Sequence, residues 1–253
     1  MANSGGMHSP VEQFQIRPLV ELSAGGYDIS FTNSSLFMLL AIAVSGVFLF
    51  SAMRKGEMVP GRMQGAAEMM YEFVADMVRS NVGNEGRPYF PFIFTLFVFL
   101  LFGNMLGLIP YSYTFTSQII VTFAMAGFVF VGVTLIALFK HGLHFFSFFV
   151  PAGAPKVLIP FLIVIEVISY FVRPVSLSVR LFANMLAGHT MLKVFAGLAV
   201  MISGAGGLAM AGSLLPFIAL IGLTGLEVLV AALQAYVFTI LTCMYLNDAL
   251  HLH

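Results

Sequence analysis

Apolar residues fill this chain in five long blocks, and short polar runs mark where each block stops. The first block covers about 34–53. It follows Asp28-Ile29-Ser30-Phe31-Thr32-Asn33-Ser34, a run suited to a helix N-cap, and it ends at Arg54-Lys55-Gly56-Glu57. Blocks at about 89–109 and 117–139 are joined by Pro110-Tyr111-Ser112-Tyr113-Thr114-Phe115-Thr116. A loop with Gly142, Pro151, Gly153 and Pro155 then leads to two longer stretches, about 156–202 and 209–250. Gly204-Ala205-Gly206-Gly207 lies between them. Apolar runs of this length read as membrane-crossing helices. A 45-residue helix is about 67 Å long, roughly twice the hydrocarbon thickness. Pro160 and Pro174 are the only breakers in the first long stretch, and neither sits in the Gly/Asn/Asp cluster a re-entrant loop would use. The pattern predicts two long, steeply tilted helices forming a hairpin.

Residues 62–80 follow another rule. Met63, Ala66, Met70, Phe73 and Met77 form one face, while Glu68, Glu72, Asp76 and Arg79 line the other. That 3.6-residue period predicts an amphipathic helix, either lying on the membrane surface or packed on the protein's own loops. Residues 1–33 form a mixed polar and apolar leader. The expected fold class is an all-α polytopic membrane protein. It has one membrane domain over 34–253 and about five crossing helices, with helical hairpins at 89–139 and 156–250.

Composition sharpens this reading. The chain is 60% hydrophobic and 9% charged, against about 25% charged in a soluble domain. Formal net charge is zero, so there is no basic footprint for nucleic acid. The single cysteine, Cys243, excludes an intrachain disulfide framework and sits in an apolar run as a packing residue. There is no Trp, so interfacial aromatic belts must use Tyr and Phe. No basic n-region precedes an apolar core, so no cleavable signal peptide is expected. Arg54, Lys55, Arg62, Arg79, Arg87, Lys140 and Lys156 fall in loops on one side of five spans, against Arg17 on the other. The positive-inside rule then sets the N-terminus outside and the C-terminus in the cytoplasm.

Ionisable residues inside the long stretches carry the functional signal. Glu166, Arg173, Arg180 and Lys193 lie in the first and Glu227 in the second, with Asn184, His189 and Gln234 adding polar groups. An arginine keeps its proton, with a pKa above about 12. A charge at bilayer depth costs at least about 2.5–3.5 kcal/mol, which makes Arg180 a functional-site hypothesis by default. No residue three or four positions away neutralises it. Arg180 cannot carry protons, but it can hold and release a carboxylate that does. Ser176, Arg180 and Asn184 recur every four residues on one face, and Glu166, Arg173 and Arg180 recur every seven. His189 points about half a turn away from Arg180, which suggests two separate wet pathways. If the hairpin turns at the glycines, His189 comes level with Glu227 on the outer half, and Arg180 comes near Gln234.

Blander roles remain open at each position. Asn184 and Gln234 could be interhelical hydrogen-bond glue, Lys193 could snorkel, and Arg173 could pair structurally with Glu166. No nucleophile elbow, phosphate loop, zinc spacing or dinucleotide fingerprint appears, so no catalytic site, cofactor or metal is expected.

At this point the residues match a known pattern. Pro174-Val175-Ser176-Leu177-Ser178-Val179-Arg180-Leu181-Phe182-Ala183-Asn184-Met185-Leu186-Ala187-Gly188-His189 closely resembles the signature of the F-type ATP synthase subunit a family. Asn104-Met105-Leu106-Gly107-Leu108-Ile109-Pro110 and Leu229-Val230-Ala231-Ala232-Leu233-Gln234-Ala235-Tyr236-Val237-Phe238 support it, and the resemblance covers about 85–253. It implies that Arg180 is the family's essential arginine, facing the carboxylate of a rotating c-ring. It also implies that Ser176, Asn184 and Gln234 line the path nearby, and that His189 and Glu227 form the outer half-channel pair. Glu166 would lie towards the cytoplasmic exit. The His-then-Glu order resembles the alphaproteobacterial and mitochondrial pattern. Ala183 departs mildly from the family's usual Gly. A c-ring and the membrane helices of a b-type peripheral stalk are the implied partners.

Two rival classes stay in play. A self-contained proton-coupled transporter would show inverted repeats, and none is evident. A structural anchor would use the buried charges only for assembly.

Overall fold

The computed structural model describes residues 14–21, 23–24, 27–28, 30–54, 56–109, 112–142, 145, 158–204 and 212–251. The beginning of the leader, Lys55, Pro110-Tyr111, the Pro151–Pro155 loop with Lys156, and Ala205-Gly206-Gly207 of the glycine-rich turn lie outside the described residues.

The described leader forms two small antiparallel ribbons: β1 (Pro18–Val20) pairs with β4 (Phe31–Thr32), and β2 (Ser23–Ala24) with β3 (Tyr27–Asp28). Strands were not part of the sequence expectation, because two-residue pairings leave no alternation long enough to read. Asn33 ties the ribbon to the first helix. Its side chain accepts from the Arg17 amide at 3.2 Å and donates to the Gln15 carbonyl at 3.1 Å. Helix α1 (Asn33–Met53) begins at Thr32, whose hydroxyl accepts from the Ser35 amide at 3.4 Å, as an N-cap should. Its buried positions are Ser34, Ala41, Ser45 and Ala52, a small-residue stripe that lets neighbouring helices come close.

Helix α2 (Arg62–Asn81) packs on α1, on α3 (Phe90–Gly107) and on the last helix, α6 (Leu214–Leu250). Its acidic residues face outward as the period requires. The packed stripe, however, is Ala67, Val74, Met77 and Val78, flanked by Met70. Met63 and Phe73 are about half exposed, and Ala66 is exposed. The buried face is rotated by about one position from the expected one, because the short Ala and Val side chains allow closer helix contact than the flexible Met and Phe do.

A 3₁₀ segment (Gly83–Tyr89) leads into α3, and α4 (Ile119–His141) follows the 112–118 connection. Five helices are long and apolar enough to cross a membrane, including α5 (Ile159–Gly204) and α6. Helix α5 runs 46 residues without a break, and Pro174 lies inside it. That proline leaves the Tyr170 carbonyl without its usual helical donor. Pro174 is buried, and the packing of α5 against α4 and α6 holds the helix through it. The main core gathers Val74, Ile93, Leu100, Val129, Leu181, Met185 and Phe238 from five helices. At one end of the bundle, Lys140 pairs with Glu85, and His251 lies 4.0 Å from the same carboxylate. The ends of α4 and α6 and the 83–89 turn therefore meet there.

Polar side chains also join the helices. The Thr122 and Ser178 hydroxyls, both fully buried, lie 3.2 Å apart between α4 and α5, and Thr134 meets the Tyr170 hydroxyl at 2.6 Å. Interhelical hydrogen bonds of this kind average about 0.6 kcal/mol. A double-mutant cycle with Thr122→Val and Ser178→Ala, read by denaturation in mixed micelles, should return a coupling of about that size.

Candidate functional site

Helix α5 carries two different faces. Pro174, Leu177, Ser178, Leu181 and Met185 are buried against the bundle. Val172, Val175, Ser176, Val179, Arg180, Ala183, Asn184 and Ala187 are exposed. Ser176, Arg180 and Asn184 thus form a polar line within an otherwise apolar and small-residue strip. Among the described residues, Arg180 makes no hydrogen bond or ion pair. An exposed guanidinium in such a strip is unneutralised by any described residue, and lipid would not neutralise it either.

His189 sits on another side of α5, in a second polar centre. Its side chain is 11% exposed, and Nδ1 lies 3.4 Å from Oε1 of Glu227, which is 4% exposed. Both Glu227 carboxylate oxygens are buried without a hydrogen bond, so the 3.4 Å approach to His189 is a close contact of unfavourable alignment. Buried carboxylate oxygens are rarely left unpartnered, and such sites are functional candidates. Gly188 makes the room: a Cβ there would stand 2.8 Å from Glu227 Oε1. On the other edge of the imidazole, Nε2 lies 2.9 Å from the Thr114 hydroxyl. The Phe14 ring meets His189 edge-on at 6.3 Å, and Gln118 holds the Phe14 carbonyl at 2.6 Å. Leader, connecting segment and both long helices thus converge on one histidine.

Arg173 takes a carboxylate partner from α6. Its Nη1 lies 2.8 Å from Asp248 Oδ2 near the end of α6, and its guanidinium stands over the Tyr245 and Tyr170 rings at 5.3 and 5.8 Å. The structural pair with Glu166 that the spacing left open is not formed; the Tyr245 ring and the Asp248 carboxylate draw the guanidinium towards α6. Glu166 is half-buried and makes no hydrogen bond or ion pair among the described residues. The Arg173–Asp248 bridge borders a small pocket, also lined by Phe130, Phe145, Tyr170 and Tyr245.

The remaining positions divide by burial. Gln234 is 9% exposed, on the packed side of α6 with Ala231, Ala235 and Phe238, and no hydrogen bond joins it to the outward-facing Arg180. Lys193 is exposed one turn beyond His189. Asn104 is fully buried, donating to the Ala231 carbonyl at 3.2 Å and accepting from Thr116 at 2.9 Å. It links α3, α6 and the turn before α4. Among the described residues, no group of three His, Cys, Asp or Glu side chains could hold a metal.

The ATP synthase A chain family model matches residues 35–247. The chain belongs to that family. ATP synthase subunit a of Rhodospirillum rubrum is 57% identical over 247 residues, which is 98% of this chain and 100% of that protein. The subunits a of Parvibaculum lavamentivorans and Agrobacterium fabrum are 56% and 52% identical, and each aligns with 96% of this chain. For a member of the ATP synthase A chain family, the membrane setting of these polar centres follows, with five apolar helices around them.

Two contributors escaped the sequence reading. Thr114 lies in a connection that looked like a plain turn, and only the fold carries it to His189, 75 positions away. Asp248 lies at the helix end, where a carboxylate looks like an ordinary surface group. The Gly188-x-x seat beside Glu227 could have been suspected, since a glycine within a helix needs a packing reason. Gly188→Ala should lower the stability of the purified protein by about 1–3 kcal/mol, through crowding against Glu227. Gly197→Ala, where nothing lies within 4 Å, should raise it by up to about 1 kcal/mol. Unfolding midpoints in detergent check both.

Proposed function

We propose that this chain is the stator subunit of an F-type ATP synthase that forms two proton half-channels and couples proton flow to the rotation of a c-ring. The observation that carries this reading is Arg180: a permanent cation, exposed and unpaired among the described residues, in a strip whose other residues are Val, Ala, Ser and Asn. Such a strip invites close approach by another helix, and its one charge calls for a carboxylate from outside the chain. The ring carboxylate is that counterpart.

In this reading a proton enters beside His189 and Glu227 and neutralises a ring carboxylate, which then faces lipid cheaply. After nearly a full turn the carboxylate reaches the second half-channel, where Glu166 stands towards the exit. Arg180 attracts the ionised carboxylate and repels protons that would leak directly between the half-channels. Ser176, Asn184 and Gln234 line the surroundings of that contact. The chain forms no covalent intermediate; ATP is made elsewhere in the complex, and b-type peripheral-stalk helices hold the stator. The segments and helix ends carrying Arg54, Arg62, Arg79, Arg87 and Lys140 face the cytoplasm of a bacterial inner membrane, and the leader faces the periplasm. The amphipathic α2 lies along the membrane boundary.

Arg180→Ala is the direct test, in membrane vesicles with assembly of the complex verified. ATP-driven proton pumping should be lost while passive proton leak is kept or increased. Normal pumping would make Arg180 structural and remove the stator mechanism with it.

A further inference from the structure

We infer that Thr114 is a positioning residue whose hydroxyl swivels between two partners and so lets neutral His189 present either a donor or an acceptor to Glu227. The inference rests on the proton path proposed above.

The geometry around Thr114 has no slack. Its Oγ1 lies 2.9 Å from His189 Nε2 and 3.2 Å from the Gly107 carbonyl. That carbonyl also accepts from Ser112 Oγ at 2.9 Å, so it stays satisfied when Thr114 turns away. Thr114 is 4% exposed, and a Cβ on Gly107 would stand 2.5 Å from its hydroxyl. A threonine hydroxyl has one hydrogen and two lone pairs. Its hydrogen can point at Gly107, leaving a lone pair for Nε2–H, or point at Nε2 itself.

These two settings match the two charge states of the carboxyl. When Glu227 holds a proton and the 3.4 Å contact closes into a hydrogen bond, Nδ1 accepts from it, Nε2–H donates to Thr114, and Thr114 donates to Gly107. When Glu227 is ionised, Nδ1–H donates to it, and Thr114 donates to Nε2. The states differ by one proton, and the imidazole is neutral in both. The proton leaving Glu227 passes to Nδ1, and the proton already on Nε2 passes to a water molecule. Rotation of Thr114 then fills the vacated nitrogen. Running the steps backwards loads the carboxyl. Among the described residues, the charged and titratable groups around His189 are Glu227 from α6 and Lys193 one turn along α5. The Phe14 ring from the leader brings no charge.

Thr114→Val keeps the shape and removes the hydroxyl, whereas Thr114→Ser keeps the hydroxyl. The test is ATP-driven pumping by the assembled complex in vesicles across a range of pH. It is read together with ¹⁵N-histidine spectra in which the His189 signals are assigned by difference from His189→Ala. With Thr114→Val, pumping should fall roughly two- to tenfold and its pH profile should move by about half a unit to one unit. The His189 tautomer signals should change as well. Thr114→Ser should restore all three. Should the Val variant not assemble, Thr114→Ala is read in the same way. A Val variant with the unaltered pH profile and tautomer signals overturns the inference, as does a Ser variant as impaired as Val. Glu227→Gln separates the two levels: if it pumps normally the proton path itself fails, and if it is impaired while Thr114→Val is normal, only the swivel fails.

Discussion

Hydrocarbon offers no hydrogen-bond partner, and this constraint shapes every part of the molecule. A backbone that crosses it must satisfy itself, so the crossing elements are helices. A side chain that is polar there must find a partner on a neighbouring helix or on another subunit. Thr122 and Ser178, Thr134 and Tyr170, and Asn104 with the Ala231 carbonyl are solutions within the chain. Arg173 finds its solution at Asp248. Arg180 is left outside that accounting, and Glu227 is only partly inside it. Those are the residues on which the proposed proton path turns.

Much of this arrangement could be read from residue order alone, because the same constraint writes itself into the sequence. The five helices follow from apolar run length. The N-cap at Thr32 follows from its side chain. The uninterrupted α5 follows from the lack of a turn-forming cluster at Pro174. The approach of His189 to Glu227 follows from a hairpin whose two helices rise equally, since their distances from the turn then match. Ser176, Arg180 and Asn184 share a face because four residues are close to one turn.

What stayed hidden depends on side-chain size and reach. The rotation of α2 reflects how closely Ala67 and Val74 let it approach its neighbours, a contest that periodicity does not resolve. Heptad spacing allowed Arg173 to pair with Glu166, yet a long guanidinium can reach past its own helix to a tyrosine ring and a carboxylate on another. Thr114 belongs to a connection, where sequence pattern says little about what the loop will touch. The ribbons of the leader are too short for any pattern.

The notch at Gly188 has a consequence beyond making room for an acid. The helix that carries Glu227 does not supply the space for it; the space belongs to the opposite helix. The site is therefore a gauge of how α5 and α6 are aligned along their length. A slip of one helical turn, about 5.4 Å, is larger than the 3.4 Å separating His189 from Glu227. It would drive the carboxylate against a residue that has a Cβ. The two helices are locked in phase by the very residue that breaks the packing rule.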